Sequence, residues 1–281
     1  MTDLPALAVT GSTGALGGLV ARGLAADGLS QRLVARAPDR APALENSVAV
    51  RAEYGNREDS LLALQDVTTL FMVSAAEAPN RLEQHLDFVD AAADAGVEHI
   101  VYTSFFGAAP DCTFTLGRDH FATEEHIRAR GLAFTFLRDN FYLDFLPLTV
   151  GEDGVIRGPA GEGRVSAVAR EDVAEVAAQV LRDPTPHRGA TYDLTGPEAL
   201  SLSDVAGIVA RATGRDVTFH DETIEEAYES RKSWNAPDWQ NDAWVSTYTA
   251  IRAGEVSGLS DDVRRLTGRD PLSLRELLAR G

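Results

Sequence analysis

The chain has 281 residues, 44% hydrophobic and 25% charged, a composition that excludes a disordered or collagen-like protein. Its formal net charge of −17 argues against nucleic acid or a membrane surface as the main partner, because both are bound through clustered positive charge. A single cysteine, Cys112, excludes an intrachain disulfide and a cysteine-based metal cluster. The low cysteine content fits a reducing, cytoplasmic setting, and an N-terminus with an early Asp and no basic segment predicts no signal peptide. No apolar run reaches about 18 residues, so we expect no membrane span.

Short apolar runs alternate with helical patterns over the first half of the chain. The runs predict strands at 7–9, 33–35, 48–50, 69–73, 99–102 and 134–137. The clearest helical spacing lies at 80–96, where Leu82, Leu86, Val89 and Ala93 share one face. This alternation predicts β-α-β units and an α/β fold with a doubly wound parallel sheet, as in Rossmann domains.

The pattern changes after about residue 150. A glycine-rich stretch predicts loops, and mixed helices and strands follow it. The predicted helices lie at 171–182 and 202–213, the predicted strands at 190–195 and 217–220, and a further helix starts at 260–262. We predict a Rossmann domain at 1–150, with strands returning from 165–195, and a smaller, mainly helical substrate lobe at 151–281. No clear linker separates the two.

A glycine pattern joins the first predicted strand to the first predicted helix. Gly11 permits a tight turn, Gly14 allows backbone N–H groups to approach a pyrophosphate, and Gly17 allows the helix to pack closely on the strand. The strand-turn-helix context that this motif requires is met. The predicted cofactor contacts in the turn are Gly11, Ser12, Thr13, Gly14, Ala15, Leu16 and Gly17.

The end of the second predicted strand favours NADP(H) over NAD(H). NAD-binding proteins usually place an acid there to hold the ribose 2′-hydroxyl, whereas this chain has Arg36, with Arg40 a turn later. An arginine can bind a 2′-phosphate with charge-assisted hydrogen bonds. Tyr54, after the third strand, is a candidate for the adenine, and Ser74 and Ala75 follow the fourth strand at the ligand-binding edge of the sheet.

Two other kinds of site find no support. The six histidines show no metal-ligand spacing on a helix, so we predict no metal site. No Gly-x-Ser-x-Gly elbow is present, which argues against a serine hydrolase.

Further sequence blocks carry a family resemblance. They read Tyr102-Thr103-Ser104, His120-Phe121-Ala122-Thr123-Glu124 and Leu137-Arg138-Asp139-Asn140-Phe141-Tyr142. With the glycine turn and Arg36, this ordered set resembles the NmrA-like branch of atypical short-chain dehydrogenases/reductases over nearly the whole chain. Within that branch it is most similar to NADPH-dependent quinone oxidoreductases and triphenylmethane reductases.

The resemblance implies an NADP(H)-binding Rossmann domain and roles for individual residues. It places the glycine turn on the pyrophosphate, Arg36 on the 2′-phosphate and Ser74 along the cofactor. It implies that Asn140, Phe141 and Tyr142 line the nicotinamide end. It also implies cofactor contacts for Arg170 and for Ser104, which stands at the position of the usual catalytic serine. Glu53 departs from the aspartate that is more common in these relatives.

The acid-base pair of typical short-chain dehydrogenases is missing. The family fold places its Tyr and Lys on the helix that starts near 117, where this chain has neither. The only Tyr-x-x-x-Lys pattern is Tyr228 to Lys232, in the predicted helical lobe, and we interpret it as a coincidence. His120 occupies the lysine position, so we predict that it orients the cofactor ribose or donates a proton. With Tyr142 it forms the predicted catalytic set.

The aromatic residues suggest a binding site for a flat molecule. Phe105, Phe106, Phe141, Tyr142 and Phe145 are candidates for an apolar slot, with Trp234, Trp239 and Trp244 as a possible cap. The predicted partner is a small planar substrate, and the predicted assembly is a monomer or a homodimer.

We therefore expect an NADPH-dependent reductase that transfers hydride to a quinone-like or other conjugated planar acceptor. Two alternatives remain open at this point. One is a non-catalytic regulatory protein of the NmrA type that senses NADP(H). The other is a biosynthetic reductase of a ketone or an imine.

Overall fold

A computed structural model describes residues 4–280 of the chain. The strands are β1 (Leu7–Thr10), β2 (Gln31–Ala35), β3 (Ser47–Arg51), β4 (Thr69–Met72), β5 (His99–Phe105), β6 (Ala133–Asp139), β7 (Val155–Gly158), β8 (Arg164–Val165), β9 (Ala190–Leu194), β10 (Leu200–Ser201) and β11 (Thr218–Asp221). The α-helices are α1 (Ala15–Ala26), α2 (Arg57–Leu64), α3 (Arg81–Asp94), α4 (Thr115–Ala129), α5 (Arg170–Arg182), α6 (Leu202–Thr213), α7 (Ile224–Arg231), α8 (Asp238–Arg252), α9 (Asp262–Thr267) and α10 (Leu274–Arg280).

The main sheet has the order β3-β2-β1-β4-β5-β6-β9. The pairs β1 with β2, β1 with β4, β2 with β3 and β4 with β5 are all parallel. In this register Val9 of β1 lies between Leu33 of β2 and Phe71 of β4. The strand order reverses direction at β1, which is where doubly wound sheets bind ligands. The predicted α/β Rossmann fold is confirmed.

The central strands β1, β4, β5 and β6 are largely buried because helices cover both sides of the sheet, whereas β3, at the edge, is partly exposed. All residues of β2 and β5 are buried. Leu70, Ile100 and Phe136 from the sheet belong to one core cluster with Phe88 and Val89 of α3. These are the runs that the sequence identified as strands, so burial on two faces explains why the pattern was readable.

The chain forms two compact units, each built from segments that are separate in sequence. Unit 1 comprises the described part of 1–104 together with 121–138 and 173–192. Unit 2 comprises 105–120, 139–172 and the described part of 193–281, and it contains two small sheets, β8 with β10 and β7 with β11. A division into two domains near residue 150 stays a prediction.

Over residues 4–280, no helix combines the length and the apolar character needed to cross a membrane.

Candidate functional site

The glycine turn in unit 1 is as tight as its sequence suggests. Gly11 adopts a φ of 62°, and the Gly14 N–H donates to the Gly11 carbonyl at 2.8 Å before α1 begins. A Cβ on Gly17 would lie 2.3 Å from the Gly11 carbonyl oxygen, a distance that no side chain tolerates. Glycine at position 17 is therefore what allows α1 to pack directly on the turn.

The N-terminus of α1 is suited to an anion. Its N-cap residue, Gly14, has no capping side chain, and the first turn contains no acidic residue, so the exposed N–H dipoles have no protein anion of their own. The Ser12 hydroxyl is buried and has no hydrogen-bond partner in the described part of the chain. An orphaned hydroxyl beside an uncapped helix N-terminus fits the diphosphate of a dinucleotide.

Arg36 directly follows β2 and is exposed. Most arginines of this acidic chain are paired with carboxylates, but the side chains of Arg36 and Arg40 form no ion pair or hydrogen bond within residues 4–280. Both guanidinium groups are therefore available to an external anion, as the predicted 2′-phosphate contact requires.

Tyr54 ties two strand ends together beneath the glycine turn. Its hydroxyl donates to the Val73 carbonyl at 2.7 Å and lies 2.7 Å from the Thr10 hydroxyl, which also accepts from the Val73 N–H. Burial raises the pKa of Tyr54, so the phenol stays a donor. The ring packs on Phe88 at 4.2 Å. The contact of Tyr54 with the adenine stays a prediction.

The segment that follows β4 is held by three side chains. The Ser74 N–H donates to the Thr103 hydroxyl at 2.8 Å, and the Ala75 N–H donates to His85 Nε2 at 2.8 Å. Arg81 Nε donates to the Ala75 carbonyl at 3.0 Å. Sequence reasoning chose Ser74 and Ala75 but missed His85, although a polar residue on the apolar face of α3 was visible in the sequence.

His85 must be neutral to hold this segment. Nε2 accepts from Ala75, so the ring proton lies on Nδ1, which is 2.9 Å from the Thr123 hydroxyl. Burial, followed by the nearby charge of Arg81, lowers the pKa of His85 well below 6.5. The stability that the neutral ring contributes is present above pH 6.5 and is lost as the pH falls through the folded-state pKa.

Replacing His85 with Gln is expected to flatten the acid limb of the stability curve. Without this group, the free energy of unfolding should fall less steeply below about pH 6.5, by up to about 1.4 kcal/mol per pH unit. Cofactor affinity should fall as well, because the 74–75 segment loses its imidazole acceptor. Urea unfolding at several pH values and calorimetric titration with NADPH measure the two effects.

His99→Gln is the matched control. Burial lowers the pKa of His99 to about 4, so this substitution also flattens the acid limb. His99 Nε2 lies 2.9 Å from the Thr135 hydroxyl and not on the 74–75 segment, so cofactor affinity should be unchanged. Equal loss of affinity in both variants would contradict a specific role for His85.

Ser104 donates its hydroxyl to Glu124 Oε1 at 2.6 Å. Glu124 is fully buried on α4 and also accepts two hydrogen bonds from Arg138 of β6, at 2.8 and 2.7 Å. The side chain of Ser104 thus belongs to a structural ion-pair network, and its contact with the cofactor stays a prediction. The family resemblance included the sequence block that contains Glu124, but the sequence did not show that Glu124 binds Ser104 and Arg138.

In unit 2, Phe141 packs against two other phenylalanines. The ring centroids of Phe105 and Phe114 lie 5.0 Å from that of Phe141, and His120 lies 6.1 Å from Phe105. His120 is 6% exposed. The structure thus brings together three predicted residues, Phe105, Phe141 and His120, and adds Phe114.

The other predicted aromatic residues have separate surroundings. Phe106 packs near Gly258, where a Cβ would meet its ring at 2.9 Å, and Phe145 is 51% exposed. Trp234 and Trp244 pack against each other at 5.2 Å. The predicted cap of tryptophans over the slot stays a prediction.

Asn140 is a clamp whose polar atoms are all used. Its amide nitrogen donates to the Ser166 hydroxyl at 2.9 Å and to the Val256 carbonyl at 3.0 Å. Its oxygen accepts from the N–H of Phe141 at 2.8 Å. Asn140 therefore fixes the segment that presents Phe141 and Tyr142, and a cofactor contact by its side chain stays a prediction.

Tyr142 lies between an acid and a cation. Its hydroxyl donates to Asp139 Oδ2 at 3.1 Å, and the Arg170 guanidinium lies 4.8 Å from its ring centroid. The Arg170 N–H donates to Asp144 Oδ2 at 2.9 Å. Two predicted residues, Tyr142 and Arg170, are thus in contact, while Asp139 was not selected because its partner could be seen only in the fold.

The Tyr-x-x-x-Lys pattern has surface partners. Tyr228 donates to Asp242 Oδ1 at 2.7 Å, and Lys232 is paired with Glu229. Both side chains are engaged by neighbouring acids of the helices around them.

Comparisons with known proteins agree with the fold and the glycine turn. The sequence profile of a family described as NAD(P)H-binding matches residues 11–184. The chain is 32% identical to an NAD(P)H azoreductase of Xenophilus azovorans, over 95% of this chain and 95% of that protein. Its structure resembles the NADPH-dependent quinone oxidoreductase of Escherichia coli (29% identity, TM-score 0.89, 98% of this chain and 99% of that chain). It also resembles the triphenylmethane reductase of Citrobacter sp. (31% identity, TM-score 0.87, 98% of both chains).

These similarities cover almost the whole chain, and they confirm the family resemblance that the sequence blocks carry. The matched profile begins at Gly11, the residue that starts the tight turn before α1. The chain belongs to the NAD(P)H-binding family.

Proposed function

We propose that the chain is an NADPH-dependent reductase that transfers hydride to a quinone-like or other conjugated planar acceptor. The observation that carries the proposal is that one chain has both an uncapped α1 N-terminus and an Arg36 side chain without an ion pair in the described residues. The chain is also similar, over 95–98% of its length, to an azoreductase, a quinone oxidoreductase and a triphenylmethane reductase. We further propose that it acts in the cytoplasm on a small molecule, as a monomer or a homodimer.

NADPH, when bound, supplies the hydride. The protein's role is to bind and orient the NADPH molecule. The N–H groups of Ala15 and Leu16 and the Ser12 hydroxyl would bind the diphosphate, because the Gly14 N–H is already used within the turn. Arg36, with Arg40 four residues later, would bind the 2′-phosphate. The 74–75 segment, fixed by His85 and Thr103, completes the predicted cofactor surface in unit 1.

The acceptor's properties follow from the aromatic cluster of unit 2. Phe105, Phe114 and Phe141 offer apolar ring faces and edges, which favour a flat conjugated molecule over a flexible polar one. Such an acceptor needs little acid-base assistance, because conjugation spreads the charge that hydride transfer delivers. This accounts for a reductase without the usual Tyr and Lys pair. We propose that Tyr142 and His120 take part in catalysis as proton donors or orienting groups.

The test is the oxidation of NADPH with a panel of quinones, azo dyes, triphenylmethane dyes and conjugated ketones, with NADH in parallel. Turnover with planar acceptors and a preference for NADPH are expected. Tight NADP(H) binding without turnover on any acceptor would overturn the proposal and favour a cofactor-sensing protein. Turnover confined to ketones or imines would favour a biosynthetic reductase.

Arg36→Ala is expected to weaken NADPH binding by about tenfold or more, equivalent to about 1.4 kcal/mol. Binding of NADH, which lacks the 2′-phosphate, should be unchanged. Arg211→Ala is the matched control, because Arg211 is also an exposed arginine without an ion pair in the described residues but lies on α6 of unit 2. Calorimetric titration with both cofactors checks this prediction. An equal loss of affinity for NADH would mean that Arg36 does not bind the 2′-phosphate.

A further inference from the structure

Asp139, the last residue of β6, is an acid with an incomplete set of partners. It is 3% exposed, and its Oδ2 accepts one hydrogen bond, from Tyr142, at 3.1 Å. Its Oδ1 is buried and has no hydrogen-bond partner among the atoms of residues 4–280. In the same part of the chain no arginine or lysine pairs with this carboxyl group. An ionised carboxylate in such a place is strongly disfavoured, and a neutral carboxylic acid costs much less to bury there.

The geometry around the pair is fixed by the backbone. The Asp139 carbonyl accepts from the Phe106 N–H at 2.9 Å. Tyr142 forms a parallel bridge with Val168, and the next residue, Leu143, donates to the Val168 carbonyl at 2.8 Å. The contact between Asp139 and Tyr142 is therefore built into the fold of unit 2.

The charged groups nearby do not neutralise Asp139. Arg170 faces the ring of Tyr142, and its N–H and guanidinium both approach Asp144. Burial raises the pKa of Asp139 well above its ordinary range, and the hydrogen bond from Tyr142 offsets part of that shift. Burial and the neighbouring Asp139 raise the pKa of Tyr142 as well. Burial without a counter-charge thus favours the protonated form of both groups.

We infer that Asp139 is a proton-storing residue that acts through Tyr142: its neutral carboxyl group passes a proton to Tyr142 while Tyr142 donates its own proton to the acceptor. This inference rests on the proposed reductase function. The contact of 3.1 Å between two oxygens serves hydrogen bonding in either direction, so the pair can reverse its donor without moving.

The atoms and electrons balance. The hydride from NADPH brings two electrons and one hydrogen to the acceptor, and one proton completes the reduction. The Tyr142 O–H bond breaks as a new O–H or N–H bond forms on the acceptor, and the Asp139 O–H bond breaks as the Tyr142 O–H bond re-forms. Asp139 is left as a carboxylate and regains a proton from water before the next turnover.

The test uses Asp139→Asn in the full-length protein. Asn keeps a hydrogen-bonding group beside Tyr142 but has no proton to lose. In the wild type we expect kcat to decline at alkaline pH, as Asp139 loses its proton. Asp139→Asn should lower kcat by about tenfold or more and should remove this decline. Asp153→Asn is the matched control, because Asp153 pairs with Arg157 on the surface and its pKa is lowered rather than raised.

Two readouts do not depend on turnover. In the protein without cofactor, infrared difference spectra should show the carbonyl band of a neutral carboxylic acid at pH 7, and Asp139→Asn should remove it. A raised folded-state pKa means that the wild type loses stability as the pH rises above the ordinary Asp range. Asp139→Asn should therefore raise Tm at neutral pH by a few degrees, on the order of 3 °C, and the gain should shrink toward acid pH.

A role limited to anchoring Tyr142 would instead lower Tm in Asp139→Asn and leave the pH profile unchanged, which would overturn the inference. An ionised Asp139 carboxylate at neutral pH in the infrared spectrum would overturn it too. Failure of the reductase proposal is recognised separately, as absence of turnover in the wild type while the infrared band and the Tm gain persist.

Discussion

Gly17→Ala is expected to abolish tight NADPH binding, with a loss of affinity of about 100-fold or more, equivalent to about 2.7 kcal/mol. The added Cβ would lie 2.3 Å from the Gly11 carbonyl oxygen and 2.6 Å from that of Thr10. Both atoms belong to the backbone, so α1 has to move away from the turn that it completes. The N–H groups aimed at the diphosphate move with it. Calorimetric titration with NADPH measures the loss.

Gly23→Ala is the matched control within the same helix. A Cβ at Gly23 meets only the Ala178 side chain, at 3.8 Å, which is an ordinary van der Waals contact. This substitution should leave cofactor affinity unchanged and stabilise the fold by about 0.5–1 kcal/mol, because glycine is unfavourable in a helix interior. Retention of wild-type affinity by Gly17→Ala would show that α1 does not pack on the turn as described.

Arg138→Met is expected to lower the free energy of unfolding by about 3–5 kcal/mol. Glu124 is fully buried, and Arg138 supplies two of its hydrogen bonds. Without Arg138, the carboxylate keeps Ser104 and a long contact of 3.4 Å to Arg128. A buried charge with too few partners is costly, so the loss exceeds the net value of the pair itself. Urea unfolding measures it.

Arg57→Met is the control, because it also removes one positive charge but should lower the free energy of unfolding only slightly. Arg57 pairs with Asp94 on the surface, where the side chains are 48% and 39% exposed, and exposed pairs contribute at most about 1 kcal/mol. The double variant Glu124→Met with Arg138→Met should be more stable than Arg138→Met alone, because no buried charge remains. If the double variant is no more stable than Arg138→Met, the loss of stability comes from lost packing and not from a buried charge.

The architecture of the main sheet was readable from the sequence. Strands β2 and β5 are buried on both faces, so each contains a short apolar run, at 33–35 and 100–102, and helical patterns flank these runs. The glycine turn was equally readable because it is a local device: a positive φ at Gly11 and a close approach at Gly17 each require glycine within a few residues. Local backbone geometry and burial on both faces of a strand each restrict which residue types can occur at a position.

Contacts between residues that are distant in sequence could not be predicted from residue type. His85 holds the Ala75 N–H because α3 returns alongside β4, and nothing in the spacing of the two residues predicts it. The sequence predicted cofactor contacts for Ser104 and Asn140, which stay predictions, but it did not show that Glu124, Ser166 and Val256 engage the polar atoms of these two side chains. Only the folded chain shows which atoms a polar side chain binds. A polar residue in a sequence motif can therefore bind the cofactor or hold two segments of the protein together.

The sequence alone thus determined the fold class and the geometry of the glycine turn, and it supplied the prediction that Arg36 binds the 2′-phosphate. The turn and the position of Arg36 each depend on residues that are close together in sequence. Tertiary structure alone decided which segments form each compact unit and which acids are buried. Asp139 and Glu124 look alike in sequence, yet one faces a phenol without a counter-charge and the other a pair of arginines. Burial and neighbouring charge set the protonation of a carboxyl group, and both arise only when distant elements pack together.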